Sequence, residues 1–400
     1  MESSSPPPME TSKRRAAATA SIASLTNDNS VLPIELIFFE ILIRLPVKTL
    51  LKMRSVSKSW ISRISTPEFV KAHLNFSANN REFAHHRVLS IRSGTHIHDD
   101  GHITSWRYFR TFSLYAILYG ESPCFPVELH NFGVSYKVLG SCDGLFVISK
   151  TWYDNDIENL FLWNPSIRKL SKLPYSGIDV RKCRFAYGFG YIECQNDYQI
   201  VEIVASKPSY LIADISVYSL RNNSWKTIQE FPSISLPENV KFVKGKLHWI
   251  TGGGSGWITG GGSGNNATWF NPGDEKFGNV ALPNPSGDTF NWKLVSSSGN
   301  LCMTCDYRNK TDVWIMKEYG LAESWTIVGS IPKFVNKVVR PIFISHNDEI
   351  LLQDVSGLVW WYVSRDNDSF DRPEDQTRCE YDRGSELNLY IESLVSPNSP

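Results

Sequence analysis

Two cysteines, Cys302 and Cys305, have the spacing of half a structural zinc site. A structural zinc ion needs four ligands, and no second pair of ligands lies at a useful spacing in the sequence. The segment around them alternates like a strand, so the two thiols would point to opposite faces. We therefore predict that both cysteines serve in packing and that the chain holds no metal and no cofactor.

Three histidines, His96, His98 and His102, form the densest cluster of possible metal ligands. In a strand, His96 and His98 would share one face. The residues that follow, Asp99-Asp100-Gly101, are also well suited to the turn between two strands. We predict an exposed hairpin here, with a metal site as the alternative.

Four aspartates recur along the second part of the chain: Asp143, Asp197, Asp306 and Asp348. A hydrolase needs two carboxylates close together, with their pKa values pushed apart. Each of the four lies at or beside a predicted hairpin, where Asp is favoured by its hydrogen bonds to the backbone. The patterns GxSxG and HExxH and the phosphate-binding loop are also missing from the sequence. We predict that the chain is not an enzyme, with a hydrolase as a remote alternative.

These side chains must be positioned by a chain of 400 residues with 41 cations, 41 anions and a formal net charge of zero. Such a chain has no overall field to attract nucleic acid or an anionic membrane, and we predict neither as a partner. Seven cysteines without framework spacing favour a reduced intracellular protein of the cytoplasm or nucleus. No run approaches the ~18–20 apolar residues of a membrane span. Residues 1–29, rich in Ser, Pro and Ala, are predicted to be a disordered leader.

A helical pattern runs from residue 31 to about residue 74. Pro33 suits the first turn of a helix, and apolar residues then recur every three or four positions up to Leu45. Pro46 would end that helix and begin a second, and a third short segment precedes Pro67. Three short helices cannot bury much core alone, so their apolar faces indicate a docking surface.

The same segment resembles an F-box in three strings: Leu32-Pro33-x-x-Leu36, Ile41-Leu42-x-x-Leu45-Pro46-Val47-x-x-Leu50-Leu51 and Arg54-x-Val56-Ser57-Lys58-x-Trp60. The resemblance implies an F-box over residues 30–76 that binds a Skp-type adaptor and, through it, the cullin of a Skp–Cullin–F-box ubiquitin ligase. An unrelated three-helix subdomain is the alternative. The implied adaptor-binding residues are Leu32, Pro33, Leu36, Ile41, Leu42, Leu45, Pro46, Val47, Leu50, Leu51, Val56, Ser57 and Trp60.

The charge of this segment agrees with an acidic partner. Residues 31–74 contain seven Lys or Arg and three Asp or Glu, a surplus of +4 in a neutral chain. Complementary charge speeds encounter and selects against wrong partners. The resemblance implies that the partner is the adaptor, which is acidic in this family.

From about residue 84 onward the pattern changes to the period of two that is typical of strands. A strand, a turn and a second strand recur with an aromatic anchor in each copy. Successive anchors are 55, 51, 45 and 46 residues apart: Trp163, Tyr218, Trp269, Trp314 and Trp360. A period near 50 with about four strands per unit is typical of a kelch-like β-propeller. With a weaker first repeat at about His86–Leu118, we predict six blades, with a β-sandwich as the alternative.

Each repeat is also predicted to open with a hairpin that contains Gly or Asp, such as Gly140–Gly144, Lys244–Lys246 and Ser298–Asn300. Closing a propeller removes strand edges that would otherwise invite aggregation. We predict that the C-terminal strand, Leu387–Leu394, completes the sheet that closes the ring.

Four segments of the β-rich part resemble the F-box-associated domain of plant F-box/kelch proteins: Phe161–Pro165, Lys244–Trp249, Asp312–Tyr319 and Tyr390–Val395. The implied domain spans residues 84–396 and binds a target protein. One departure is that Trp249–Gly256 is repeated as Trp257–Gly264, which predicts a longer, mobile loop in one hairpin.

An acidic stretch, residues 366–386, holds eight Asp or Glu against three Arg, a balance of −5. We interpret it as a solvated loop, with a contact surface for a basic target as the alternative.

Together these features predict a substrate-recognition subunit of a Skp–Cullin–F-box ubiquitin ligase. The F-box would bind the adaptor, and the propeller would present a target protein for ubiquitination and degradation. An F-box scaffold that acts outside a ligase and a propeller hydrolase are the alternatives.

Overall fold

The structure, a computed structural model, forms two compact units, residues 1–45 and residues 46–400. Residues 1–33, which include the predicted leader, lie outside the described part. The described residues are 34–80, 82–97, 103–119, 127–131, 135–151, 157–178, 183–206, 212–228, 236–237, 240–250, 266–283, 289–332, 339–345, 347–354, 359–363, 369–371 and 386–398.

The described part of the first unit is a run of short helical turns. It consists of α1 (Ile34–Leu36), a π-helical turn (Ile37–Ile41) and a 3-10 turn (Leu42–Arg44). The run ends because Leu45 is extended, with φ −84° and ψ 145°, as expected of a residue that precedes proline. The prediction that Pro46 ends this helical run is therefore confirmed.

The second unit begins with three helices, α2 (Val47–Met53), α3 (Lys58–Ile64) and α4 (Pro67–Ala78). The pattern predicted α2 and α3 but did not separate α4. The signal was present, because the Thr66 hydroxyl accepts a hydrogen bond from the backbone N–H of Phe69 at 3.2 Å and Pro67 fills the first turn. Thr before Pro is a typical start of a helix.

The rest of the second unit consists of six four-stranded antiparallel sheets, which we call blades 1 to 6. Six separate sheets exclude the β-sandwich alternative and match the predicted propeller. Blade 1 contains β1 (His86–Ile97), β2 (Ile103–Ser113), β3 (Val127–Asn131) and β24 (Glu386–Ile391). Blade 2 contains β4 (Ser135–Cys142), β5 (Leu145–Thr151), β6 (Ile157–Asn164) and β7 (Lys169–Lys172). Blade 3 contains β8 (Cys183–Ile192), β9 (Asp197–Ser206), β10 (Ile212–Ser219) and β11 (Ser224–Ile228). Blade 4 contains β12 (Lys241–Val243), β13 (Lys246–Ile250), β14 (Asn266–Asn271) and β15 (Lys276–Ala281). Blade 5 contains β16 (Thr289–Ser297), β17 (Asn300–Tyr307), β18 (Lys310–Met316) and β19 (Trp325–Pro332). Blade 6 contains β20 (Val339–Ile344), β21 (Ile350–Asp354), β22 (Val359–Val363) and β23 (Ser369–Asp371).

The repeat read from the sequence, a strand, a turn and a second strand, corresponds to the third and fourth strands of blades 2 to 5, and its truncated last copy lies in blade 6. All five aromatic anchors lie in the third strand of a blade: Trp163 in β6, Tyr218 in β10, Trp269 in β14, Trp314 in β18 and Trp360 in β22. None of the five anchors lies in blade 1, which combines β24 with β1, β2 and β3.

The hairpins that open the blades have the predicted turn chemistry. In blade 2, Asp143 has φ 51° and Gly144 has φ 79°. Lys244-Gly245 and Ser298-Gly299 show the same pair of positive φ angles in blades 4 and 5. Two successive positive φ angles define the type I′ turn, whose twist suits an antiparallel pair of strands.

The ring closes through the C-terminal strand, as predicted. β24 pairs with β1 from His86↔Ile391 to Ile91↔Glu386, and the innermost strands of successive blades, β4, β8, β12, β16, β20 and β24, contact one another in order. The residues after β24 reach blade 2, where the Asn164 side-chain amide donates to the carbonyl oxygens of Ser393 and Val395 at 3.1 and 2.8 Å.

The duplicated glycine-rich segment begins with Trp249 and Ile250, which end β13. Its residues 251–264 lie outside the described part of the chain, and β13 and β14 pair up to Ile250↔Ala267. Of the acidic stretch, most residues also lie outside it. No helix among the described residues is long and apolar enough to cross a membrane.

Candidate functional site

The described part of the first unit presents apolar side chains to solvent. Leu36 and Ile41, two of the predicted adaptor-binding residues, are 46% and 47% exposed. Phe39 is also exposed, whereas Phe38 and Leu42 are buried. Exposed apolar side chains concentrated in one short segment mark an interaction site.

The helices α2 and α3 divide their apolar residues in the same way. Val47 and Leu50 in α2 are buried and stabilise the fold. Val56, between the two helices, and Ile61 in α3 are 60% and 46% exposed. Among the described residues, six of the eleven exposed large apolar side chains lie between positions 34 and 64.

The remaining predicted adaptor-binding residues serve mixed roles. Ser57 caps α3, because its hydroxyl accepts a hydrogen bond from the backbone N–H of Trp60 at 3.2 Å, and Pro46 is exposed at the start of α2. Leu45, Leu51 and Trp60 are half-buried. Leu32 and Pro33 lie outside the described residues. Sequence reasoning missed Ile34 and Phe39 as exposed residues, because the motif gives positions but not exposure.

The cations of this segment are mostly exposed. Lys48, Lys52, Lys58 and Arg63 all face solvent. Arg54 is half-buried, and this desolvation lowers the pKa of its guanidinium. The exposed cations can attract an acidic partner before contact.

Helix α4 packs directly on the propeller, which the sequence did not predict. Val70 and Leu74 lie against a core shared by blades 2 and 3, and His73 is fully buried, with an edge-on ring contact to His85. The last helix of the helical segment is therefore packed into the same compact unit as the blades.

Three of the four recurrent aspartates accept hydrogen bonds from neighbouring donors. Asp143 accepts a hydrogen bond from the Tyr198 hydroxyl at 3.0 Å, and Asp197 accepts one from the backbone N–H of Arg221 at 2.9 Å. Asp306 accepts a hydrogen bond from the Thr311 hydroxyl. These two residues pair across β17 and β18, at the end of blade 5 away from the Ser298-Gly299 turn. Burial raises the pKa of the Asp143 carboxyl. Asp143 and Asp306 bond side-chain hydroxyls, and the backbone bond that was expected beside hairpins is present at Asp197.

Cys302 and Cys305 pack in two different cores, as their spacing predicted. Cys302 lies in the core between blades 5 and 6, and Cys305 lies in the core between blades 4 and 5. Burial raises the pKa of each thiol to about 12. Within the described residues there is no group of three or more His, Cys, Asp or Glu that could hold a metal ion; His98–His102 lie outside them.

A buried histidine, His248, lies on β13 with its ring Nε2 2.8 Å from the Tyr319 hydroxyl. Burial, together with the charge of Lys246, lowers the pKa of His248 to about 4. The ring is therefore neutral at physiological pH and belongs to the packing of blade 4.

The innermost strands surround a cavity of about 1590 Å³. Its wall is formed by β12, β16, β20 and β24, together with the hairpin between β4 and β5. The end of α4 and Phe83, which follows it, also line the cavity. A space of this size, lined by innermost strands of several blades, is a second candidate site and is suited to binding a partner.

Comparison with known proteins finds a matching family for the helical segment and another for the β-rich part of the chain. Residues 30–72 match the F-box domain, and residues 120–397 match the F-box associated beta propeller domain. A solved structure, that of YjhT, has a TM-score of 0.39 at 11% identity and covers 70% of this chain and 97% of that chain. At so low a score we draw nothing from it.

Two curated relatives extend over almost the whole chain. The F-box/kelch-repeat protein At3g23880 of Arabidopsis thaliana is 29% identical over 382 residues, which are 92% of this chain and 96% of that protein. The F-box protein CPR1 of Arabidopsis thaliana is 27% identical over 402 residues, 89% of this chain and 87% of that protein. Since the propeller match alone covers more than half of the sequence, this chain belongs to the F-box proteins that carry an F-box-associated β-propeller domain.

Proposed function

We propose that this protein is the substrate-recognition subunit of a Skp–Cullin–F-box ubiquitin ligase. Its F-box binds a Skp-type adaptor and, through it, a cullin. Its propeller holds a target protein, which is then ubiquitinated and degraded. The protein acts inside the cell, in the cytoplasm or nucleus, and contributes proximity while other subunits carry out the chemistry.

The concentration of exposed apolar side chains in residues 34–64 is the observation that carries this proposal. These side chains would be costly to leave in water unless a partner covers them. Leu36 and Ile41 in the first unit, and Val56 and Ile61 in the second, are available for that contact. The surplus of cations in the same segment suits an acidic adaptor.

The attachment of α4 to the blades supports a role in presentation. Because Val70 and Leu74 pack on the propeller core, a target held by the blades would keep a fixed position relative to α4. A fixed position raises the effective concentration of a target lysine at the conjugating enzyme.

The test is a binding titration of the purified full-length chain with a purified Skp-type adaptor. We expect Leu36→Ala with Ile41→Ala to weaken binding by about thirtyfold or more, because truncating anchor residues costs about 2 kcal/mol or more. Both side chains are exposed, so the variant should keep the melting temperature of the parent chain.

A matched control is available in blade 5. Leu321 and Ile327 are 46% and 43% exposed, close to the values of the tested pair. Leu321→Ala with Ile327→Ala should bind the adaptor as the parent chain does. Equal binding by all three proteins would overturn the assignment of the adaptor-binding residues, and no binding by the parent chain would overturn the proposed function.

A further inference from the structure

Two cations of neighbouring inner strands line the central cavity. Lys293 in β16 and Arg340 in β20 both line the cavity and both are exposed. Because β16 and β20 contact each other, the two positive charges belong to adjoining strands of one wall, which we call the Lys293–Arg340 section.

Arg340 is held in place by its neighbours. Its Nη2 donates to the Gln353 Oε1 at 3.2 Å and to the Leu387 carbonyl oxygen of β24 at 2.9 Å. These bonds use one nitrogen of the guanidinium, which carries five N–H donors in all. Within the described residues these are the hydrogen bonds of the guanidinium, so its other donors can meet a ligand. Holding the side chain in advance reduces the entropy lost on binding.

The carboxylates of the described wall do not neutralise these cations. No ion pair within 4.0 Å joins Lys293 or Arg340 to a described carboxylate. Asp348 pairs with Lys317 at 3.6 Å, and Asp306 accepts a hydrogen bond from Thr311 at 2.6 Å. Lys241, at the start of β12, adds a further cation to the same wall.

The wall also contains apolar residues, and the cavity is large. Trp292 and Ile342 line the cavity and are half-buried. Trp292 also packs against the core of blades 4 and 5, and Ile342 against the core of blades 6 and 1. Its volume of about 1590 Å³ exceeds the roughly 300–1,000 Å³ that is usual for small-molecule pockets. A segment of polypeptide fits these dimensions better than a single small molecule.

We propose that the Lys293–Arg340 section of the central cavity binds an acidic segment of the target protein, in which Asp or Glu side chains adjoin an apolar residue. The carboxylates meet Lys293 and the free donors of Arg340, and the apolar residue packs on Trp292. This inference rests on the proposed function, since it names the kind of target that the propeller holds. It favours an acidic target over the basic one that the acidic stretch of the sequence suggested.

The experiment measures the fluorescence anisotropy of labelled short peptides titrated with the full-length chain. The probe peptide alternates Glu and Leu, and two matched peptides carry Lys or Gln in place of Glu. We expect the Glu peptide to bind and the Lys and Gln peptides to bind at least about tenfold more weakly. Stronger binding of the Lys peptide would overturn the proposal in favour of a basic target.

Lys293→Glu with Arg340→Glu should weaken binding of the Glu peptide by about tenfold or more. Since Arg340 also bonds β21 and β24, Lys293→Glu alone serves as a second variant that leaves those bonds intact. The control is Lys169→Glu with Lys172→Glu, two exposed residues on the outer strand β7. Unchanged binding by Lys293→Glu, or an equal loss in the control, would overturn the site.

Adaptor binding, measured on the same preparations, separates this inference from the proposed function. If the adaptor binds and the Glu peptide does not, the acidic-target site is wrong and the ligase function stands. If the Glu peptide binds in the expected way and the adaptor does not, the site stands and the ligase function is wrong.

Discussion

Truncation after Asp382 should destroy the propeller, because it removes β24 and the residues that follow it. The removed segment buries four large side chains, and each contributes about 1.5–3 kcal/mol, or about 6–12 kcal/mol together. A whole domain is usually stable by only about 5–15 kcal/mol. The buried side chains are Leu387, Tyr390, Leu394 and Val395.

The loss also exposes the edge of β1, which pairs with β24 over six residue pairs. An open edge of that length invites pairing between molecules. We therefore expect the truncated chain to form aggregates in size-exclusion chromatography with light scattering. A synthetic peptide of residues 383–400, present during refolding, should recover monomer by adding the missing strand. A truncated chain that stays monomeric and melts within a few degrees of the parent would refute the closure by β24.

Three further perturbations test separate features. Deleting Trp257–Gly264 should leave the melting temperature within a few degrees, because halving the length of a connection changes its closure cost by only about 0.6 kcal/mol. Insoluble protein would show that the deleted segment is needed for folding. His248 has a folded-state pKa of about 4, below its ordinary 6.5, so the stability it contributes is complete above pH 6.5 and is lost as the pH falls towards 4. Urea unfolding should show that the free energy of unfolding falls between pH 7 and pH 5 by roughly 2 kcal/mol less in His248→Phe than in the parent. An equal fall in the two proteins would contradict this. Lys48→Glu with Lys52→Glu should slow association with the adaptor by about tenfold at low salt and less at high salt; a salt-independent effect in stopped-flow measurements would contradict the role of charge.

Much of the fold could be predicted from the sequence because its signals are local. The aromatic anchors mark the third strand of five blades, and the Gly and Asp turns mark the opening hairpins. The opposite packing of Cys302 and Cys305 follows from the two-residue period of a strand. The role of the C-terminal strand follows from the need to close a ring of sheets.

Features that depend on contacts between distant residues could not be predicted in this way. Nothing in the sequence of α4 shows that Val70 and Leu74 pack on blades 2 and 3. The exposure of Leu36 and the burial of Leu50 within one motif depend on helix orientation. The presence of Lys293 and Arg340 in the wall of one cavity depends on the arrangement of two separate blades. Spacing along the chain carries none of this information.

We propose that this chain binds a Skp-type adaptor and, through the adaptor, forms one complex with a cullin. The most direct measurement is the mass, by size-exclusion chromatography with light scattering, of the 45.4 kDa chain mixed with purified adaptor and cullin. We expect a single peak with the summed mass of one copy of each subunit, and no complex when the adaptor is left out. A chain that elutes alone at its own mass in the presence of both partners would contradict the claim.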